Sequence, residues 1–222
     1  APLYLLNQEF SLSNHRPKPA GEEFTLRSAN QHFTQLEINM IGQHQTENAA
    51  LAVMAAQSIN QDENFSITEN AIRKGLKKAY WPGRFEIISN NPLIIIDGAH
   101  NDEGISALVH ELSNRYSNHS IHIVFAALKD KKLDQMIAQL DQIADEISFV
   151  SFDFPRAADA VDLYAISHSN NKKFSEKWDS HLANCIQNLQ HNSVLVVTGS
   201  LYFISEAKPY LCEFLKNNTI SL

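Results

Sequence analysis

The stretch PLIIIDGAHN, residues 92–101, runs four apolar residues into an acid, a glycine, a histidine and an asparagine. An ionised Asp97 only accepts hydrogen bonds, which suits a pair of ribose hydroxyls or, equally, an Asx bond that holds the following turn. His100 could serve as a base or an orienting group, or as a hydrogen-bonded structural group of the turn. Arg84, in WPGR, carries a planar, permanently charged fork that can clamp phosphate oxygens; the bland alternative is a surface arginine beside a linker. Ser200, in TGS, closes an apolar run ahead of a helix whose first N–H groups would suit a carboxylate. It is not expected to be a nucleophile, because the second glycine of Gly-x-Ser-x-Gly is missing. Lys129 ends VFAALK as a counter-charge or a solvated loop lysine, and Asn48 reads as a first-turn residue of a helix. His119 and His122 are spaced His-x-x-His but enter a strand, so no metal is expected there.

The elements around these residues say why they would meet. Leu93 to Ile96 is an apolar run of the kind buried on both faces of a parallel sheet. After it, Ile105, Leu108, Val109, Leu112 and Tyr116 fall on one helical face, with Asn101 as N-cap and Asp102 and Glu103 in the first turn. Residues 97–100 are then a strand-to-helix turn, the place where open α/β sheets bind ligands. Strand-like FEII, LIII, IHIVFAAL, ISFVSF and SVLVVTG alternate with helices near 101–116, 131–142, 159–168, 178–189 and 202–216. This predicts an α/β fold with a doubly wound, mostly parallel sheet of roughly 140 residues, an ordinary domain size.

Upstream the pattern differs. LYLL, EFTLRS and FTQLEINMIG read as strands, and NHRPKPAGE between the first two as a loop. Residues 45–59 form a helix that is apolar nearly all round and is expected to be buried on more than one side. A second helix is expected to start at Ser66, where SITE has the capping-box form, and to stop near Tyr80. Pro82 and Gly83 break the chain there, which predicts domains 1–81 and 82–222.

Composition narrows the classes. The 222 residues carry 18 Lys+Arg against 25 Asp+Glu, a formal charge of −7, and 44% are hydrophobic. The acidic balance argues against nucleic acid, no apolar run is long enough for a membrane span, and no charged segment followed by an apolar one opens the sequence as in a signal peptide. Cys185 and Cys212 read as reduced, buried thiols of a cytosolic protein. None of the seven glycines builds a phosphate loop or a Gly-x-Gly-x-x-Gly turn. The chain opens on APLYLL, already strand-like, and so is expected to be cut from something longer.

In order and spacing, GQHQTENAALA (42–52), WPGRFE (81–86), IIIDGAHN (94–101), VFAALKDK (124–131), FPRAAD (154–159) and VVTGSLYFISE (196–206) resemble folylpolyglutamate synthases of the Mur-ligase superfamily. The resemblance covers nearly the whole chain. It implies an ATP-dependent ligase that adds L-glutamate to the γ-carboxylate of folate through an acyl phosphate. Residues 1–81 would be the C-terminal part of the central ATP-binding domain and 82–222 the Mur-ligase C-terminal domain. It further implies that Asn48, Arg84 and Asp97 bind ATP, that His100, Ser200 and Lys129 bind glutamate, and that His100 is catalytic. The partners would be ATP, folate and L-glutamate in a monomeric enzyme. The phosphate loop and most magnesium (Mg2+) ligands would lie in an N-terminal half, without which this chain is expected to be inactive. The alternatives are a dihydrofolate synthase or bifunctional enzyme and, from another class, a non-catalytic nucleotide-binding module. Alanine at 126, where many members have glycine, is a small departure.

Overall fold

A computed structural model describes residues 3–29, 31–61 and 64–218. The chain divides into two compact units between Pro82 and Gly83.

The first unit is an antiparallel sheet, β1 (Phe10–Lys18), β2 (Gly21–Ser28) and β3 (His32–Ile38) in the order β1-β2-β3, followed by α1 (Gln43–Ile59) and α2 (Glu69–Lys78). Phe24, Leu26, Phe33, Leu36 and Ile38 of the sheet pack with Ala49, Ala50, Val53 and Met54 of α1 and Ile72 and Leu76 of α2. Four sequence expectations are corrected here. NHRPKPAGE is mostly strand: β1 runs through Arg16 and Pro17, paired with Glu23 and Glu22. β1 is an edge strand, where a missing N–H is tolerated. LYLL is no strand and contributes only an isolated bridge from Leu6 to Phe10. Helix α1 is not buried all round: Leu51 is 51% and Ile59 45% exposed. Helix α2 starts later than Ser66, with Thr68 as N-cap accepting from Ala71 N at 3.2 Å. The cause is Asn60, whose amide bonds both Ile67 N (2.7 Å) and Ile67 O (2.6 Å) and claims that residue before the helix does.

The second unit is the doubly wound α/β domain. Its elements are β4 (Glu86–Asn90), β5 (Leu93–Asp97), α3 (Asp102–Arg115), β6 (Ser120–Phe125), α4 (Leu133–Asp141), β7 (Glu146–Val150), α5 (Ala160–Ile166), β8 (Lys172–Ser175), α6 (Trp178–Gln187), β9 (Ser193–Thr198) and α7 (Leu201–Asn217). The sheet order is β4-β5-β9-β6-β7-β8, with β4 antiparallel to β5 and the other pairs parallel. β8 is a short polar edge strand that the apolar pattern did not reveal. Ile94, Ile96, Leu195 and Val197 face Leu182 of α6 and Phe203, Ile204, Ala207 and Leu211 of α7. Alternation sends Ile95 and Val196 to the opposite face, where α3, α4 and α5 pack in sequence. Among the described residues no helix is long and apolar enough to cross a membrane.

Candidate functional site

β9 returns to the middle of the sheet, between β5 and β6, and the helices that follow β5 and β9 leave to opposite faces. The crevice beside β9 at the carboxyl ends is therefore a topological switch point. Asp97 pairs in register with Thr198, and Ala126 N donates to Thr198 O at 3.1 Å, so the turns after β5, β9 and β6 lie side by side. The turn after β7 joins them through Ala158 N to Ala127 O (2.9 Å) and Lys129 N to Arg156 O (2.8 Å).

Asp97 is 9% exposed, and its carboxylate organises two segments. Oδ1 accepts from Ala99 N at 2.7 Å, the Asx bond of the turn, and Oδ2 accepts from Phe85 N at 2.7 Å. The second bond fixes the segment that carries Arg84. That segment is an irregular turn with Gly83 at φ 70° and Phe85 at φ 39°, in the left-handed region that only glycine enters without strain. Gly98 N donates to Gly83 O at 2.7 Å and closes the other side. Arg84 is half-buried, with Nη1 3.5 Å from Gly98 O. The same carbonyl lies 2.8 Å from His100 Nδ1. A carbonyl can only accept, so Nδ1 carries a proton, and in the tautomer this selects Nε2 is the acceptor. One backbone oxygen thus gathers a permanent cation and an imidazole.

The other expected residues sit differently. Ser200 is 1% exposed and caps α7, its Oγ accepting from Tyr202 N at 3.3 Å. Lys129 is exposed and ion-pairs with Asp159 at 3.4 Å. Asn48 belongs to the first unit, in the second turn of α1, and donates to Gln45 Oε1 at 3.1 Å, while Gln45 Nε2 lies 3.0 Å from His44 Nε2. The entry to that helix rests on a carboxylate that no sequence motif marks: Glu22, 0% exposed, accepts from Gly42 N at 2.8 Å and meets His15 Nε2 at 2.8 Å. Its signal, an acid in an apolar strand, is masked by the loop-like composition of NHRPKPAGE. At the carboxyl end of the central strand β9 the Thr198 hydroxyl is fully buried without a hydrogen-bond partner among the described residues. Among those residues no cluster of three or more His, Cys, Asp or Glu side chains fits a metal ion. Burial pushes the Cys185 thiol up to about 11, which leaves it protonated at neutral pH.

Residues 83–201 match the family described as Mur ligase, glutamate ligase domain. The chain is 40% identical over 211 residues to the dihydrofolate synthase/folylpolyglutamate synthase of Bacillus subtilis, covering 95% of this chain and 49% of the relative. It is 30% identical over 206 residues to the folylpolyglutamate synthase of Lacticaseibacillus casei, covering 92% of this chain and 47% of the relative. In fold it matches the folylpolyglutamate synthase of Mycobacterium tuberculosis complexed with ADP and AMPPCP, with a TM-score of 0.80, 23% identity, and coverage of 92% of this chain and 48% of that one. The chain spans about half the length of the curated relatives it matches.

Proposed function

This chain belongs to the Mur ligase family, whose glutamate ligase domain it carries, and on that premise we propose that it forms part of an ATP-dependent ligase joining L-glutamate to the γ-carboxylate of a folate. In that reaction a carboxylate oxygen takes the γ-phosphoryl group and ADP leaves. The amino group of glutamate then attacks the acyl carbon, loses a proton, and expels inorganic phosphate as the amide forms. The transferring phosphoryl group spreads negative charge over its oxygens, and a fixed guanidinium is suited to neutralise it. Arg84 fills that role. His100 Nε2, left as an acceptor by the Nδ1 bond, holds the glutamate ammonium or takes its proton. Asp97 keeps the two groups in register, and its carboxylate, an acceptor when ionised, is the group that takes a ribose hydroxyl. Asn48 reads the adenine edge, and Ser200 and Lys129 hold the glutamate carboxylates. The enzyme is a cytoplasmic monomer, and its magnesium is held mainly by residues outside this chain.

The observation that carries the reading is the shared Gly98 carbonyl, which brings Arg84 and His100 together from two adjoining turns at a switch point. The test is steady-state kinetics in a polypeptide of the relatives' length. Arg84→Ala should weaken the ATP dependence and His100→Ala the glutamate dependence, with thermal unfolding little changed. Two variants that lose stability and leave both dependences intact would make these groups supports of the turn and sink the assignment. A second reading, that dihydropteroate is also an acceptor, is favoured by the bifunctional name of the Bacillus subtilis relative. Turnover with dihydropteroate in the same assay decides it.

A further inference from the structure

The turn that carries Arg84 is seated on α7. Leu201, Ile204 and Lys208 recur at the spacing of one helical face, and each meets the turn or the segment beside it. A Cβ on Gly98 would stand 2.2 Å from Leu201 Cδ2, and one on Gly83 would stand 3.1 Å from Ile204 Cγ2. Lys208 Nζ reaches Glu86, at 2.7 Å from Oε1 and 3.0 Å from Oε2. Glu86 Oε2 also accepts from Gly83 N at 2.8 Å. The two side chains are 28% and 14% exposed, so the pair is less screened than a surface ion pair.

Residues on both sides of Arg84 hold left-handed backbone angles, and Phe85 does so without being glycine. Such a conformation persists only where its surroundings impose it. Three bonds do so here: Asp97 grips Phe85 N, Gly98 N grips Gly83 O, and Glu86 grips Gly83 N. The first two come from the Asp97 turn itself. The third is held in place by a lysine far along the chain, on the helix that Ser200 caps.

We propose that Glu86 and Lys208 form a latch that positions Arg84 for its ligand, tying the arginine turn to α7. Neither is a catalytic residue, and both act through Arg84. The proposal rests on the reading of Arg84 as the phosphate clamp. Removing the carboxylate frees Gly83 N and lets the turn relax, whereas removing only the charge keeps an acceptor but loosens the seat.

The test has two arms. In the 222-residue chain, amide hydrogen exchange at residues 83–85 should speed up in Glu86→Ala and, less, in Glu86→Gln and Lys208→Met, with β9 amides unchanged. Unaltered exchange in all three overturns the latch. In a polypeptide of the relatives' length, Glu86→Ala should lower kcat roughly ten- to a hundredfold through misplacement of the arginine, with the folate KM unchanged. Lys208→Arg should retain activity. The deciding variant is Arg84→Ala/Glu86→Ala, which should be no slower than Arg84→Ala alone, because a positioning group has nothing left to position. Additive losses overturn the proposal and make Glu86 a general support of the fold. The two readings fail differently: Arg84→Ala with full turnover overturns the role of Arg84 and the latch's purpose together. An inactive Arg84→Ala beside a fully active Glu86→Ala overturns the latch alone.

Discussion

The two units bury their sheets in different ways. In the first, α1 and α2 cover one face of the sheet, and only Phe10 among the nine residues of β1 is buried. In the second, helices lie on both faces and β9 is buried along its whole length. Exposed charge differs too, although each unit also buries a carboxylate on backbone N–H groups, Glu22 in the first and Asp97 in the second. The first unit ties β1, β3 and α2 together with an exposed web in which Glu37 meets Lys18 and Lys77. The second commits a carboxylate to its interior, where Asp97 joins two segments through backbone N–H groups. The difference shows where precision is built: the two-faced sheet fixes its strand ends, and the turns at those ends inherit that rigidity.

The strongest challenge to this contrast is a cavity in the central strand. Leu195→Ala on β9, at 0% exposure, should destabilise the second unit by about 2–5 kcal/mol. Trp178, edge-on to Phe203 at 5.8 Å, reports that unfolding by fluorescence in urea, whereas Trp81 is 64% exposed and changes little. A loss below about 1 kcal/mol would mean that the sheet collapses around the gap and that its strand ends are softer than described.

Helix entry provides a smaller, matched test. Thr68→Ala in α2 and Asn101→Ala in α3 each remove a side-chain cap, from Ala71 N and Gly104 N respectively. Each should cost about 1 kcal/mol in chemical denaturation. The Asn101 variant should in addition lower the activity of the longer polypeptide, because its helix begins directly after His100. Equal effects on activity would separate the site from the 97–101 turn.

These particulars also show what was legible beforehand. Residues 93–101 could be read as strand, turn and capped helix because each signal is local: an apolar run, an Asx residue, an N-cap. The fold class followed from several such runs. β1 was misread because Pro17 and Lys18 are loop residues by composition, and only the edge position of the strand makes them acceptable. β8 was missed because KKFS has no apolar run and is held by its neighbour β7. Ser66 mimicked a capping box because the competing grip of Asn60 on Ile67 is a tertiary contact. The bond from Phe85 N to Asp97 spans 12 residues and the Lys208–Glu86 pair 122, and no pattern within a window encodes either.

The subtlest expected difference is in acid. His181 on α6 shares a small polar cavity with His122 on β6, Glu146 on β7, Lys173 on β8 and Cys185. Burial lowers its pKa from 6.5, Lys173 adds to the shift, Glu146 opposes it, and its Nε2 is buried without a partner among the described residues. The native imidazole therefore binds fewer protons than the unfolded one just below pH 6.5, and stability of the second unit falls as pH drops through that interval. Glu37 is lowered from 4.5 to about 2 by its hydrogen bonds to Lys18 and then Lys77. Its contribution to the first unit is complete above pH 4.5 and is lost as pH falls toward about 2. Because this web is exposed, the effect is small and screened by salt. Thermal unfolding from pH 7 to 3, followed by hydrogen exchange so that each unit is read separately, should show the second unit weakening first. His181→Gln should flatten that early loss, and Glu37→Gln should flatten only the later one. If His181→Gln leaves the slope between pH 6.5 and 5 unchanged, that imidazole titrates as freely in the folded chain as in the unfolded, and its cavity is open to water.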